Sequence, residues 1–182
     1  MPLSDPAPRE HLHTRRIECT GYRRADGLRD IEGHLVDTKT YRFANRNRGE
    51  VKAGTPIHDM WIRLTIDESM RVHRAEASTD AAPYPICPAA IEGFKSLAGL
   101  TIGHGWMREV MSRIGGKAGC THLVELLRPL ATTAYQSLYK ERRASEQAGT
   151  RPVFLDACHA LSTGSGVVKE YWPQFYTGAA ND

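Results

Sequence analysis

No stretch of this 182-residue sequence approaches the roughly 20 consecutive apolar residues that a membrane-spanning helix needs, so a membrane partner is not expected. Cysteine is scarce. Cys19, Cys87, Cys120 and Cys158 stand apart, without a Cys-x-x-Cys pair, which argues against a ribbon-type zinc site. The opening MPLSDPAPREHLHTRR mixes charges and prolines and has no apolar core, so it does not resemble an export signal. Reduced thiols in a cytoplasmic protein are therefore expected. No sign of charge dominates: Lys+Arg exceed Asp+Glu by only three, with 14 against 13 in residues 1–80 and 10 against 8 in residues 81–182. A basic arm or stripe for nucleic acid is missing, so no nucleic-acid partner is expected. G-x-S-x-G, H-E-x-x-H, the phosphate-loop ending and a Rossmann glycine signature are absent as well.

What remains is ordinary globular composition, 41% hydrophobic and 25% charged, in a chain long enough to bury a core. Residues 1–13 read as a loose arm, and residues 14–182 as a single domain. Arg15 to Arg24 reads as a strand, Ala25-Asp26-Gly27 as a tight turn, and Leu28 to Thr40 as the returning strand. A polar link over 45–54 follows. In PIHDMWIRLTID, Met60, Ile62, Leu64 and Ile66 alternate with Trp61, Arg63 and Thr65, the period of two that defines a half-buried strand. MRVHRAEASTD supplies a fourth strand.

From residue 81 the pattern turns helical. The proline-rich AAPYPICP is a connector. Ala89 to Ala98 is expected as a short helix ended by Gly99, and Trp106 to Ile114 as a second. A long helix capped by Thr121 is expected to run to about Glu146, with Leu123, Leu127, Leu130, Ala134 and Leu138 on its apolar stripe and a kink at Pro129. Strands first and helices after give an α+β fold: a four-stranded antiparallel meander with the helical half packed on one face. A pocket is expected on the other face or at the mouth between sheet and helices. An exposed sheet edge makes a homodimer an expected assembly.

Four constellations carry chemical potential. In GGKAGCTHLVEL, three glycines lead into a helix start with Cys120 at its cap. Free N–H groups there favour an anion or a thiolate; a small buried cysteine between two helices is the plainer alternative. In IEGHLVDTK, regular alternation puts Glu32, His34 and Thr38 on one strand face and Asp37 and Lys39 on the other. His34 is the proton-transfer candidate, against a solvated strand face. Tyr22, Arg23 and Arg24 offer a phenol and guanidinium forks for an anionic substrate, or are an edge-strand charge run. Cys87, Cys120, His122, Cys158 and His159 are scattered; Cys120 and His122, two apart, are expected to face apart, so no metal site is assigned.

The segments GYRRADGLRDIEGHLVDTK, PYPICP, GCTHL, DACHAL and Trp172-Pro173 together resemble a bacterial family known as domain of unknown function 2889. The resemblance runs from about residue 13 to 175. It implies one shared design for those segments and names no activity.

The functional expectation is an enzyme for a small anionic organic acid, phenolic acids included, working by acid–base lyase or decarboxylase chemistry without an organic cofactor. Its catalytic candidates are His34, Tyr22, Cys120 and Asp37; Arg23, Arg24, Lys39 and His122 are its substrate-binding candidates. A cysteine- or metal-dependent hydrolase using Cys120 with His122 or His34 is the first alternative. A non-catalytic ligand-binding or assembly module is the second.

Overall fold

The structure, a computed structural model, describes residues 3–141 and 149–178. The chain divides into two compact units, Met1–Leu138 and Tyr139–Asp182, where the sequence alone reads 14–182 as one domain.

The first unit is built on strands β1 (His13–Arg23), β2 (Arg29–Lys39), β5 (His58–Ile66) and β6 (Val72–Ala81), all antiparallel and adjacent in that order. This is the expected meander. Between β2 and β5 the chain adds a small hairpin, β3 (Phe43–Asn45) and β4 (Gly49–Val51), which overlaps the start of the stretch over 45–54 read as a polar link. Its turn is held by Asn45, whose side chain accepts from the backbone N–H groups of Asn47 and Arg48. The end of the N-terminal arm is tied down, because the Thr40 backbone N–H donates to the Leu12 carbonyl.

Strand alternation decides the two faces of the sheet. On β2, Ile31, Gly33, Leu35 and Asp37 are buried, while the residues between them stay half-exposed. On β5, Met60, Ile62 and Leu64 are buried and Trp61 and Arg63 exposed. The buried face carries the helices: a 3₁₀ run Cys87–Leu97, α1 (Trp106–Ile114) and α2 (Thr121–Ser137). The short helix expected over 89–98 is this 3₁₀ run, which starts two residues earlier. Leu123, Leu127, Leu130, Ala134 and Leu138 are fully buried in the common core, as their spacing predicts. Gly33 sets how closely α2 can lie on β2, since a Cβ there would sit 3.2 Å from the Leu130 side chain. α2 runs on past Pro129 and ends at Ser137, short of the expected Glu146; residues 142–148 lie outside the described residues.

Within the second unit, DACHAL forms turns and a 3₁₀ turn, His159–Leu161. A short helix, Gly166–Tyr171, is capped by Ser165, whose hydroxyl accepts from the Val168 N–H. No helix among the described residues is long and apolar enough to cross a membrane.

Candidate active site

Pairing across β1, β2 and β5 places Arg15 opposite Asp37 and Asp37 opposite His58. Directly opposed residues of an antiparallel sheet point to the same face, about 5 Å apart. The three therefore form one row across three strands, on the helix-covered side. The row beneath is Ile17, Leu35 and Met60, of which Leu35 and Met60 belong to the apolar core and Ile17 is exposed. The start of α2 then lays His122 and Glu125 over the polar row.

The start of α2 is fixed by its approach. Gly119 passes so close to α1 that a Cβ would sit 2.2 Å from the Ile114 carbonyl oxygen. Cys120 is the N-cap, in extended conformation with φ −112° and ψ 124°, so Thr121 is the first helical residue rather than the cap. This corrects the expectation that Cys120 and His122 face apart. That rule holds for two residues inside one helix; Cys120 lies outside it, and its thiol sits 3.9 Å from His122 Nδ1 and 4.0 Å from Met60 Sδ.

Asp37 is the hub. Its side chain is 2% exposed, and every close partner donates to it. Arg15 grips both oxygens, Nε to Oδ1 and Nη2 to Oδ2, each at 2.8 Å. His13 Nε2 donates to Oδ1 at 3.2 Å and His58 Nδ1 to Oδ2 at 2.9 Å. Burial alone would push the carboxyl pKa up. The hydrogen bonds and positive charge of Arg15 and His58 outweigh it and hold Asp37 at about 2. Arg15 also donates through Nη1 to Glu125, which joins the sheet to α2 and offsets the guanidinium charge.

The two imidazoles meet ring to ring. The His58 and His122 centroids are 3.7 Å apart with the planes tilted by 31°. His122 is pushed below the ordinary imidazole pKa, first by burial and then by the positive charge of His58 and Arg15. A carboxylate can only accept, so His58 holds a proton on Nδ1 in either charge state, and Nε2 is the basic nitrogen of its neutral form. Asp37, His58 and His122 each offer a ligating atom, and these atoms lie within 4.8 Å of one another. Among the described residues this, and not the scattered cysteines, is the compact set able to hold a metal. At the edge of the group His13 is the solvent-facing member, its side chain 42% exposed.

The structure thus brings Asp37, Cys120 and His122 together, with Lys39 at the rim. Lys39 lies opposite His13, two positions beyond Asp37 on the same strand, and its Nζ lies 5.0 Å from the Tyr41 ring centroid. The remaining candidates lie elsewhere. His34 is on the opposite face, stacked on Trp61 at 3.7 Å and donating to Asp59 Oδ1 at 2.7 Å. Tyr22 is half-exposed and pairs with Asp30 near the hairpin turn. Arg24 is engaged with Asp26 and Asp30, and Arg23 lies opposite Arg29 beside the same turn. Seven residues of strand, about 23 Å, separate Tyr22 from Arg15. No single site can therefore hold Tyr22, His34 and Cys120.

Sequence patterns alone do not single out His58, Arg15, His13 and Glu125. His58 carries a usable signal, because it shares the parity of Met60, Ile62 and Leu64 and must point to the buried face.

A search of curated proteins and a search of solved structures each gave no match. Residues 13–136 match the family model described as protein of unknown function DUF2889. The matched span begins at His13, contains every residue of the Asp37 group, and ends within the first unit. On that match the chain belongs to the DUF2889 family.

Proposed function

We propose that this chain is a small-molecule enzyme whose proton-transfer centre is the Asp37–His58–His122 group. One observation carries the reading: a buried carboxylate orients the His58 imidazole through a 2.9 Å hydrogen bond, and a second imidazole lies against it. A fixed tautomer with a free basic nitrogen is what general base catalysis needs. His122, held toward its neutral form, is the complementary partner for a proton that moves between substrate and protein. Lys39 at the rim supplies positive charge for an anionic group. The substrate class is a small organic acid, phenolic acids included, and the reaction class is a lyase or decarboxylase step without an organic cofactor. The reading carries with it a cytoplasmic setting and neither nucleic acid nor membrane as partner.

The test is turnover across a panel of phenolic and aliphatic carboxylic acids, with loss of carbon dioxide or water read by mass spectrometry. His58→Ala is expected to lower kcat by at least about 100-fold. Lys39→Ala is expected mainly to raise KM. Full turnover in His58→Ala would remove the assignment.

A further inference from the structure

We infer that Asp37, His58 and His122 form the binding site of a single divalent transition-metal ion of the zinc class. The donor set is one carboxylate oxygen and two imidazole nitrogens, the mixture such ions take and that magnesium and calcium do not favour. The ligating atoms lie within 4.8 Å of one another. A metal with bonds of about 2.0–2.2 Å holds its ligands roughly 3–3.5 Å apart, so small rotations of two imidazoles close the set.

All three come from regular structure. Asp37 and His58 are directly paired on neighbouring strands, and His122 lies in the first turn of a helix seated by Gly119 and Gly33. Three protein ligands leave the fourth position of a tetrahedral ion to water or substrate, the arrangement of catalytic rather than structural zinc. The partners around the set suit this role. A carboxylate has two lone pairs on each oxygen. Arg15 and His13 take those of Oδ1, while Arg15 and the His58 N–H take those of Oδ2. When the ion takes the place of the His58 Nδ1 proton, which moves to Nε2 of the same ring, one Oδ2 lone pair is released to it. Arg15 then serves as the outer group that fixes the carboxylate. Glu125 cancels the guanidinium charge that would otherwise repel a cation. Cys120 is outside the set, since the group of mutually close ligand atoms does not include its thiol.

The inference deepens the catalytic reading and rests on it only in one respect: with the ion bound, its water takes over from His58 Nε2 as the proton acceptor. The experiment uses the full chain, stripped with a chelator and titrated with Zn(II) and with Co(II), following metal content and the Co(II) visible spectrum. One equivalent is expected, with intense d–d bands of four- or five-coordinate cobalt. His58→Ala and His122→Ala should each weaken binding on the order of 100-fold, while Cys120→Ser keeps it. Since Asp37→Ala is the variant at risk of not folding, Asp37→Asn serves for the third ligand and should weaken binding by at least tenfold. Binding well below one equivalent, binding unchanged in the histidine variants, or loss of the ion in Cys120→Ser would each overturn the site. Full turnover by stripped protein would end the metal reading and leave the catalytic one standing. One equivalent of bound metal with no turnover on any acid would do the reverse.

Discussion

The two faces of one sheet each carry a histidine–aspartate pair, built from the same two strands. On the open face His34 donates to Asp59 at 2.7 Å; on the helix-covered face His58 donates to Asp37 at 2.9 Å. By distance alone the open pair is the closer. The difference lies in surroundings. Asp59 is 26% exposed and shares its charge with water. Asp37 is 2% exposed and has Arg15 and two histidines in place of water. A carboxylate removed from water acts strongly on its neighbours, because the low local dielectric sharpens each interaction. The difference teaches that burial and partner number, more than hydrogen-bond length, set the two pairs apart, and it is on those grounds that the chemistry is proposed for the covered pair.

The widest separation between the faces should come from deleting each carboxylate. Asp37→Ala leaves the Arg15 fork and two histidines facing a buried gap, at a cost of about 2–4 kcal/mol. Asp59→Ala opens onto solvent and should cost less than about 1 kcal/mol. Urea unfolding of metal-free protein checks both. Equal losses would mean that the two faces do not differ in the way their burial implies.

Acid separates them next. The folded-state pKa of Asp37, about 2, lies below its ordinary value of 3.8. Its contribution is therefore complete above about pH 4 and is lost as pH falls toward 2, amounting to roughly 2 kcal/mol. Asp67 adds a contribution of the same sign that solvent screens more strongly: burial would raise its pKa, but hydrogen bonds from Ser69, His73 and the Arg71 and Ser69 backbone N–H groups hold it at about 2. Wild-type stability should fall between pH 4 and 2. Asp37→Asn should remove part of that slope and leave the Asp67 part. An unchanged slope in Asp37→Asn would place the acid sensitivity elsewhere.

A smaller effect tests the helix that makes the covered face what it is. Gly33→Ala pushes a methyl group to 3.2 Å from Leu130, tighter than ordinary contact, in a fully buried place. The cost should be about 1–2 kcal/mol. Because α2 carries His122 as well as Leu130, the same change should weaken metal binding at the Asp37 group. A stability loss with no change in binding would show that the helix gives at Leu130 without moving its first turn.

Much of this is legible in the sequence, and the part that is not has a physical reason. Parity alone separates His34 from Asp37, since side chains alternate between the faces of a regular strand. Even the Arg15–Asp37 contact is within reach of the sequence. A hairpin folded about Asp26 puts residues equally far from it opposite one another, and Arg15 and Asp37 are such a pair. His58 is harder. The stretch from Thr40 to Ile57 contains the β3–β4 hairpin, so no turn fixes the β2–β5 register from sequence. His122 is hidden by a shift of one residue in the cap of α2. Helical spacing turns it away from Cys120, yet Cys120 sits in the extended cap and escapes that spacing. Arg15 and Glu125 lie 110 residues apart, and only the docking of α2 on β1 brings them together.

The last prediction has the smallest expected effect and the most direct bearing on the comparison. His34 is the residue that the sequence favours for moving a proton, and its stack on Trp61 with a bond to Asp59 is a well-formed arrangement. A stacked pair of this kind contributes about 0.5–1.5 kcal/mol when packed, and less where water reaches both members. Trp61 is exposed and the His34 side chain 26% exposed, so His34→Ala should cost under about 1 kcal/mol. Its effect on turnover is the sharper reading. The sheet itself separates His34 from Asp37, because the two side chains leave β2 on opposite faces. If the chemistry belongs to the covered face, His34→Ala should change kcat by less than about threefold, against the loss expected in His58→Ala. If His34→Ala abolishes turnover while His58→Ala keeps it, the open face holds the centre. The stack would then be a binding platform rather than a surface contact.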